Sequence, residues 1–223
     1  KSVYQLILWM VDNLNIKISD TIKNKYKDEF EIKKVENSDE NKTIQENKEI
    51  IPMSKYLGQI KKTHGVNSMA HVISSLYNEV PVRDDFKLEI VKKEKDAVDN
   101  TKNYYVANTN PKIILNVYKT SKKYGKDKYD ISPKLKTMID KYMKSNNIKV
   151  GDYLFGDKKL SAYITKMNNE AGYEFSINEF RHMKASELYN NPKTTARDKL
   201  LLSKLMKHSP EMGSKYVRHK MVF

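Results

Sequence analysis

Five side chains, Arg83, Lys119, Arg181, His208 and Tyr216, are of types that together can handle a phosphate. A guanidinium grips anionic oxygens through two parallel N–H groups. An ammonium or an imidazole can give or take a proton, and a phenol can attack an electrophile. Taken singly, each has an ordinary explanation. There are 15 tyrosines, and Lys119 is one of 38 lysines. His208 alone reads as a surface or packing histidine, and Arg181 in a helix could simply pair with Glu179 or Glu187. Arginine occurs only four times, as Arg83, Arg181, Arg197 and Arg218. Where lysine supplies the general charge, an arginine suggests a position that needs the planar fork.

The elements that must position these residues follow from periodicity. Helices are predicted over residues 2–15 and from about Ser19 or Asp20 to Lys33. Residues 36–50 are polar and carry no aromatic, which predicts a linker or loop. Residues 1–35 are too few to fold alone and read as the helical end of an upstream domain. A helical stretch is predicted over 52–77. Phe86, Leu88 and Ile90 alternate with charged residues as in a strand, and strands are also predicted over 104–107, 113–118 and 129–131. Between the last two, Gly125 is available for a turn. Ser132-Pro133 is a helix start, with serine as the cap and proline in the first turn. Further helices are predicted over about 159–170, 177–189, 196–207 and 213–220. The fold class is α+β, mostly α: a helical domain over 51–223 with a small antiparallel sheet.

Bulk composition limits the partners. The net charge is +14 with a pI near 9.5, which suits a polyanion. There is no cysteine, so disulfides and thiolate metal sites are excluded. No apolar run approaches membrane-spanning length, and no signal peptide is visible. The chain starts at Lys1, as expected of a fragment or a processed product.

Order and spacing give the set its meaning. VPVRDD (80–85), NVYKTSKKYG (116–125), INEFRHMKASEL (177–188) and LLSKLMKHSPEMGSKYVRH (201–219) stand in one sequence. Together they resemble the tyrosine recombinase, or phage-integrase-type, family: its first-arginine segment, its lysine-bearing β-hairpin, its His-x-x-Arg-His helix and its closing stretch to the tyrosine. The resemblance runs from about residue 50 to 219. The Lys-Thr hairpin resembles versions from large DNA viruses and protist mobile elements.

The resemblance implies a catalytic domain preceded by the remnant of a core-binding domain. It also implies cleavage and rejoining of double-stranded DNA through a covalent 3′-phosphotyrosyl intermediate. Tyr216 would be the nucleophile, Arg83 and Arg181 the phosphate clamp, and Lys119 the proton donor to the leaving 5′-oxygen. His208 would hydrogen-bond a phosphate oxygen. The cationic side chains would stand in for a metal, so no metal or cofactor is expected. Lys122, Lys123, Lys126, Lys128 and His182 are expected at the DNA, and recombination implies a tetramer of this chain on two duplexes. The expected location is inside the cell, wherever the DNA target lies. Three departures from the pattern stand out. Asn178 replaces the first histidine, and asparagine cannot act as a base near neutral pH. The interval from His208 to Tyr216 is about one residue short. Val80-Pro81 replaces a glycine turn, and Asp84-Asp85 supplies acid one position early. A type IB topoisomerase and a non-catalytic DNA-binding module are the alternative readings.

Overall fold

A computed structural model describes residues 6–7, 9–10, 13–14, 19–29, 49–82, 86–157 and 160–218. Arg83, Asp84 and Asp85 lie outside the described residues, as do most of the expected linker and the apolar tail at 221–223. The chain divides into two units, Lys1–Lys48 and Glu49–Phe223. In the first, residues 20–29 are helical, and the Ser19 hydroxyl accepts the Ile22 N–H at 3.4 Å as a cap.

The second unit opens with two helices where the sequence suggested one. α1 (Met53–His64) buries Met53, Tyr56 and Ile60, and α2 (Met69–Glu79) buries Val72, Ile73, Leu76 and Tyr77. The break is local chemistry: Gly65 and Asn67 take positive φ, and the Ser68 hydroxyl caps α2 at the His71 N–H.

Four strands follow: β1 (Leu88–Val91), β2 (Asn103–Val106), β3 (Lys112–Leu115) and β4 (Asp127–Asp130). They pair in the order β1-β2-β3-β4. The sheet is mixed rather than wholly antiparallel. β1 and β2 run parallel, with Leu88 opposite Asn103 and Val91 opposite Val106; the other pairs are antiparallel. Residues 92–102, with a 3-10 turn at Glu94–Asp96, carry the chain back to the starting end of β1, as a parallel pair requires. Phe86 stands outside β1 because its φ of 44° is no strand conformation; its ring packs 4.6 Å from that of Tyr77. Tyr105, Ile113 and Leu115 face the helical core, while Tyr104, Val106 and Ile114 bury the opposite face with Ala97 from the crossover.

The remaining helices are α3 (Ser121–Tyr124), α4 (Pro133–Ser145), α5 (Ser161–Glu170), α6 (Ile177–Tyr189), α7 (Ala196–Leu205) and α8 (Pro210–Ser214). Ser132 caps α4 at the Leu135 N–H, with proline in the first turn. The same Ser-Pro device starts α8 at Pro210, earlier than the periodicity suggested, and α8 ends at Ser214. α6 is the centre of the unit. Phe180 stacks on Tyr77 at 4.7 Å and meets Tyr56 edge-on at 5.4 Å. The Tyr56 hydroxyl donates to Asn168 on α5 at 2.6 Å. Burial of this size fixes α6 against α1, α2 and α5, and the residues beside Phe180 inherit that rigidity.

Candidate active site

Helical geometry places Asn178, Arg181 and His182 on one face of α6, three and four residues apart. Arg181 and His182 are both buried. Arg181 donates from Nη2 to the Met206 carbonyl at 3.0 Å, where α7 ends. Its guanidinium carbon lies 4.5 Å from the centre of the Tyr216 ring. The ring of His208 stacks on the same tyrosine at 5.4 Å with an interplanar angle of 13°, and His182 lies tilted at 5.0 Å. Three cationic or potentially cationic groups therefore surround one half-buried phenol.

The backbone around Tyr216 is held as firmly as the ring. A carbonyl only accepts, so His182 donates from Nδ1 to the Tyr216 carbonyl at 2.9 Å. In its neutral form the imidazole then has Nε2 free to accept from the Asn178 amide at 3.2 Å. Asn178 is thereby turned onto His182, a task for which a donor amide is suited. Two residues beyond the tyrosine, Arg218 is fully buried and pairs with Glu179 through both Nη atoms, at 2.5 and 3.1 Å. Its N–H donates to Ser186 at 2.8 Å, and its carbonyl accepts from Asn190 at 2.7 Å. Gly213 sits where a Cβ would come within 2.6 Å of the Tyr189 hydroxyl, 3.0 Å of Ser203 and 3.3 Å of His208. The absence of a side chain there lets α8 lie against the site.

His208 follows Lys207, which takes a φ of 57°. The His208 Nδ1–H donates to the Ser209 carbonyl at 2.9 Å, which orients the ring. Burial, followed by the nearby Arg181 cation, lowers its pKa below the ordinary 6.5, against the raising effect of the Ser209 bond. The neutral form thus dominates at pH 7.

Lys119 stands on a different element. It is exposed in the turn after β3, and among the described residues no hydrogen bond or ion pair ties it to the Tyr216 cluster. Its loop is nonetheless well anchored. Asn103 accepts from the Asn116 and Val117 N–H groups at 2.8 and 2.9 Å and donates to the Val117 carbonyl at 2.7 Å. The buried Tyr118 donates to the Gly125 carbonyl at 2.9 Å, closing the loop on itself.

The structure thus brings together Asn178, Arg181, His182, His208 and Tyr216, leaves Lys119 on its loop, and does not describe Arg83. Of the expected DNA-contacting residues, Lys122, Lys123 and Lys126 are exposed on or beside α3. Lys128 is already paired with Glu94. His182 was expected at the DNA; it is buried, with both ring nitrogens engaged inside the chain. Sequence reasoning missed the anchors. Glu179 faces Arg218 rather than Arg181, and Glu187 accepts the Met53 N–H at 2.6 Å at the start of α1. The scarcity of arginine was the available signal for Arg218.

No family model and no curated protein matches the chain. Among solved structures, the chain resembles that described as "Crystal structure of XerA recombinase", with a TM-score of 0.52 and 14% sequence identity. The match covers 76% of this chain, which spans 59% of the length of that one. At that identity the likeness shows a shared fold: mostly helical, with a small sheet, as in a recombinase catalytic domain.

Proposed function

We propose that this chain cuts and rejoins double-stranded DNA by a covalent 3′-phosphotyrosyl route, with Tyr216 as nucleophile. The observation that carries the reading is the packing of Arg181 and His208 on the Tyr216 ring within a recombinase-like fold. A phosphodiester resists attack because it is anionic and its leaving alkoxide is basic. Arg181, with Arg83, would bind the non-bridging oxygens and neutralise charge that grows as the phosphorus becomes five-coordinate. The Tyr216 oxygen forms a bond to phosphorus, the bond to the 5′-oxygen breaks, and that oxygen takes a proton from Lys119. The phenol proton passes to solvent, since Asn178 cannot accept it. Rejoining reverses these steps: the 5′-hydroxyl attacks, and the phosphotyrosyl link supplies the bond energy. With its Nδ1–H committed to Ser209, His208 would donate to a phosphate oxygen from Nε2 as the imidazolium, the form that an adjacent phosphate favours. Lys122, Lys123 and Lys126 would run along the backbone of the duplex, and four copies of the chain would act on two duplexes.

The test is capture. A pool of duplexes of randomised sequence, each nicked so that the cut end escapes by diffusion, is incubated with the chain and resolved under denaturing conditions. The expected result is a protein–DNA adduct whose DNA-linked peptide carries Tyr216. Tyr216→Phe should form none while still binding the pool. Native chain that binds the pool but yields no adduct, where a control recombinase on its own nicked site does, would leave a DNA-binding module as the reading.

A further inference from the structure

Lys207 is in a conformation that its side chain does not favour. Among the described residues, the non-glycine residues at positive φ are Asn67, Phe86, Asn147 and Lys207. Asparagine tolerates this region because its short amide can bond locally, but a long aliphatic stem gains nothing there. What the Lys207 side chain does is specific. Its ammonium forms an ion pair with Asp127, and the two side chains are only 18% and 26% exposed. It also lies 5.7 Å from the centre of the Tyr129 ring. The Tyr129 hydroxyl reaches back toward the Leu205 carbonyl at 3.5 Å, so β4 touches the end of α7 at two points.

Asp127 is placed to transmit that grip. It is the first residue of β4 and pairs across the sheet with Leu115, the last residue of β3. The two residues are therefore the feet of the loop that bears Lys119. Asn103 and the Tyr118–Gly125 bond hold the interior of this loop, so its foot cannot shift without carrying Lys119 along. On the other side, Lys207 is covalently joined to His208, which stacks on Tyr216.

We infer that Lys207 is a positioning residue: its ion pair with Asp127 sets the Lys119 loop in register with the His208–Tyr216 cluster. The inference rests on the strand-cleavage reading above and adds to it a residue that does not touch the reacting atoms. Lys119 must meet the leaving oxygen while Tyr216 stands on the far side of the phosphorus. Two elements distant in sequence then need a direct tie, and this ion pair supplies one.

The experiment compares native chain, Lys207→Gly, Asp127→Asn, the double variant and Lys119→Gln. Each is tried on one nicked duplex recovered from the randomised pool, and on the same duplex with sulfur in place of the bridging 5′-oxygen. A thiolate leaves without a proton, so the second substrate does not need the acid. Glycine suits the left-handed backbone, so Lys207→Gly should melt no lower than native and bind DNA normally. Its adduct rate on the oxygen substrate should fall about 100-fold, the usual cost of a misplacement near 1 Å. On the sulfur substrate it should recover to about native, as Lys119→Gln should, because the acid's contribution is what was removed. Asp127→Asn should behave alike, and the double variant should be no worse than either single. A native rate for Lys207→Gly on the oxygen substrate would overturn the inference alone. So would an equal loss on both substrates, which would divorce the effect from the leaving group. No adduct from native chain on either substrate would remove the strand-cleavage reading and this inference with it.

Discussion

Neutralising Glu179 should detach the segment that carries the tyrosine. The Arg218 guanidinium is fully buried, and its counterion is the Glu179 carboxylate, itself only 9% exposed. Glu179→Gln keeps the shape and one acceptor oxygen but removes the negative charge that both Nη atoms of the buried guanidinium face. Breaking a buried pair from one side typically costs about 3–5 kcal/mol, and the retained acceptor places this case near about 3 kcal/mol. The backbone ties of Arg218 to Ser186 and Asn190 contribute about 1 kcal/mol each, together less than that loss. Undocking of residues 216–218 should then become about 100-fold more frequent, since about 1.4 kcal/mol is a factor of ten. Native-state hydrogen exchange reads this directly at the Arg218 amide, whose acceptor is the Ser186 hydroxyl. Urea unfolding should show a matching or smaller global loss, depending on whether the segment opens by itself. A second variant guards the interpretation. Glu179→Met with Arg218→Met removes both charges in similar volume and should be close to native in stability. Unchanged exchange at residue 218 in Glu179→Gln would refute the anchor.

Three further outcomes are expected. Arg181→Lys should cut adduct formation by about 100-fold or more, because an ammonium cannot bridge two phosphate oxygens, while DNA binding in a gel shift persists; near-native cleavage would count against the clamp. Since folding lowers the His208 pKa below 6.5, the unfolded chain binds the proton more tightly, so the stability that this group contributes at pH 7 begins to be lost below pH 6.5 and is gone once the pH has fallen through the lower folded pKa. Unfolding free energies at pH 7 and pH 5 should therefore differ less in His208→Gln than in native chain; His71, shifted the same way, remains in both. Finally, the affinity for DNA should fall steeply with salt, and replacing Lys122, Lys123 and Lys126 with glutamine should flatten the log–log slope by about 0.9 for each phosphate no longer neutralised. A slope already flat in the native chain would contradict the phosphate-binding role of these lysines.

The sequence made local features legible and long-range ones less so. α6 spans Ile177–Tyr189 as its pattern predicts, and Ser132-Pro133 starts α4, because caps and periodicity act within a turn or two. The clustering of Arg181, His208 and Tyr216 could be expected only from the ordered resemblance, since no spacing rule links a mid-helix arginine to a tyrosine 35 residues on. The parallel pairing of β1 with β2 was not legible. Strand direction depends on where the crossover returns, and the 92–102 segment reads as an ordinary charged connection. The Glu179–Arg218 pair was hidden for a related reason: Glu179 has basic neighbours on its own helix that compete as partners in sequence but point elsewhere in space. Phe86 continues the strand alternation on paper, yet the bend at its φ of 44° puts its ring into the core.

Under the proposed function, the aromatic face over Arg181 would also shape what happens before any duplex arrives. A guanidinium open to solvent would collect stray phosphate or carboxylate. Here the phenol ring covers it, in a contact worth about 0.5–2 kcal/mol according to how dry it is. A lone anion must displace that ring in return for one or two bonds. A polymer would bring neighbouring phosphates to Lys122, Lys123 and Lys126 at the same moment and could bear the displacement. Small anions would thereby be disfavoured relative to a duplex by the residue proposed as the nucleophile.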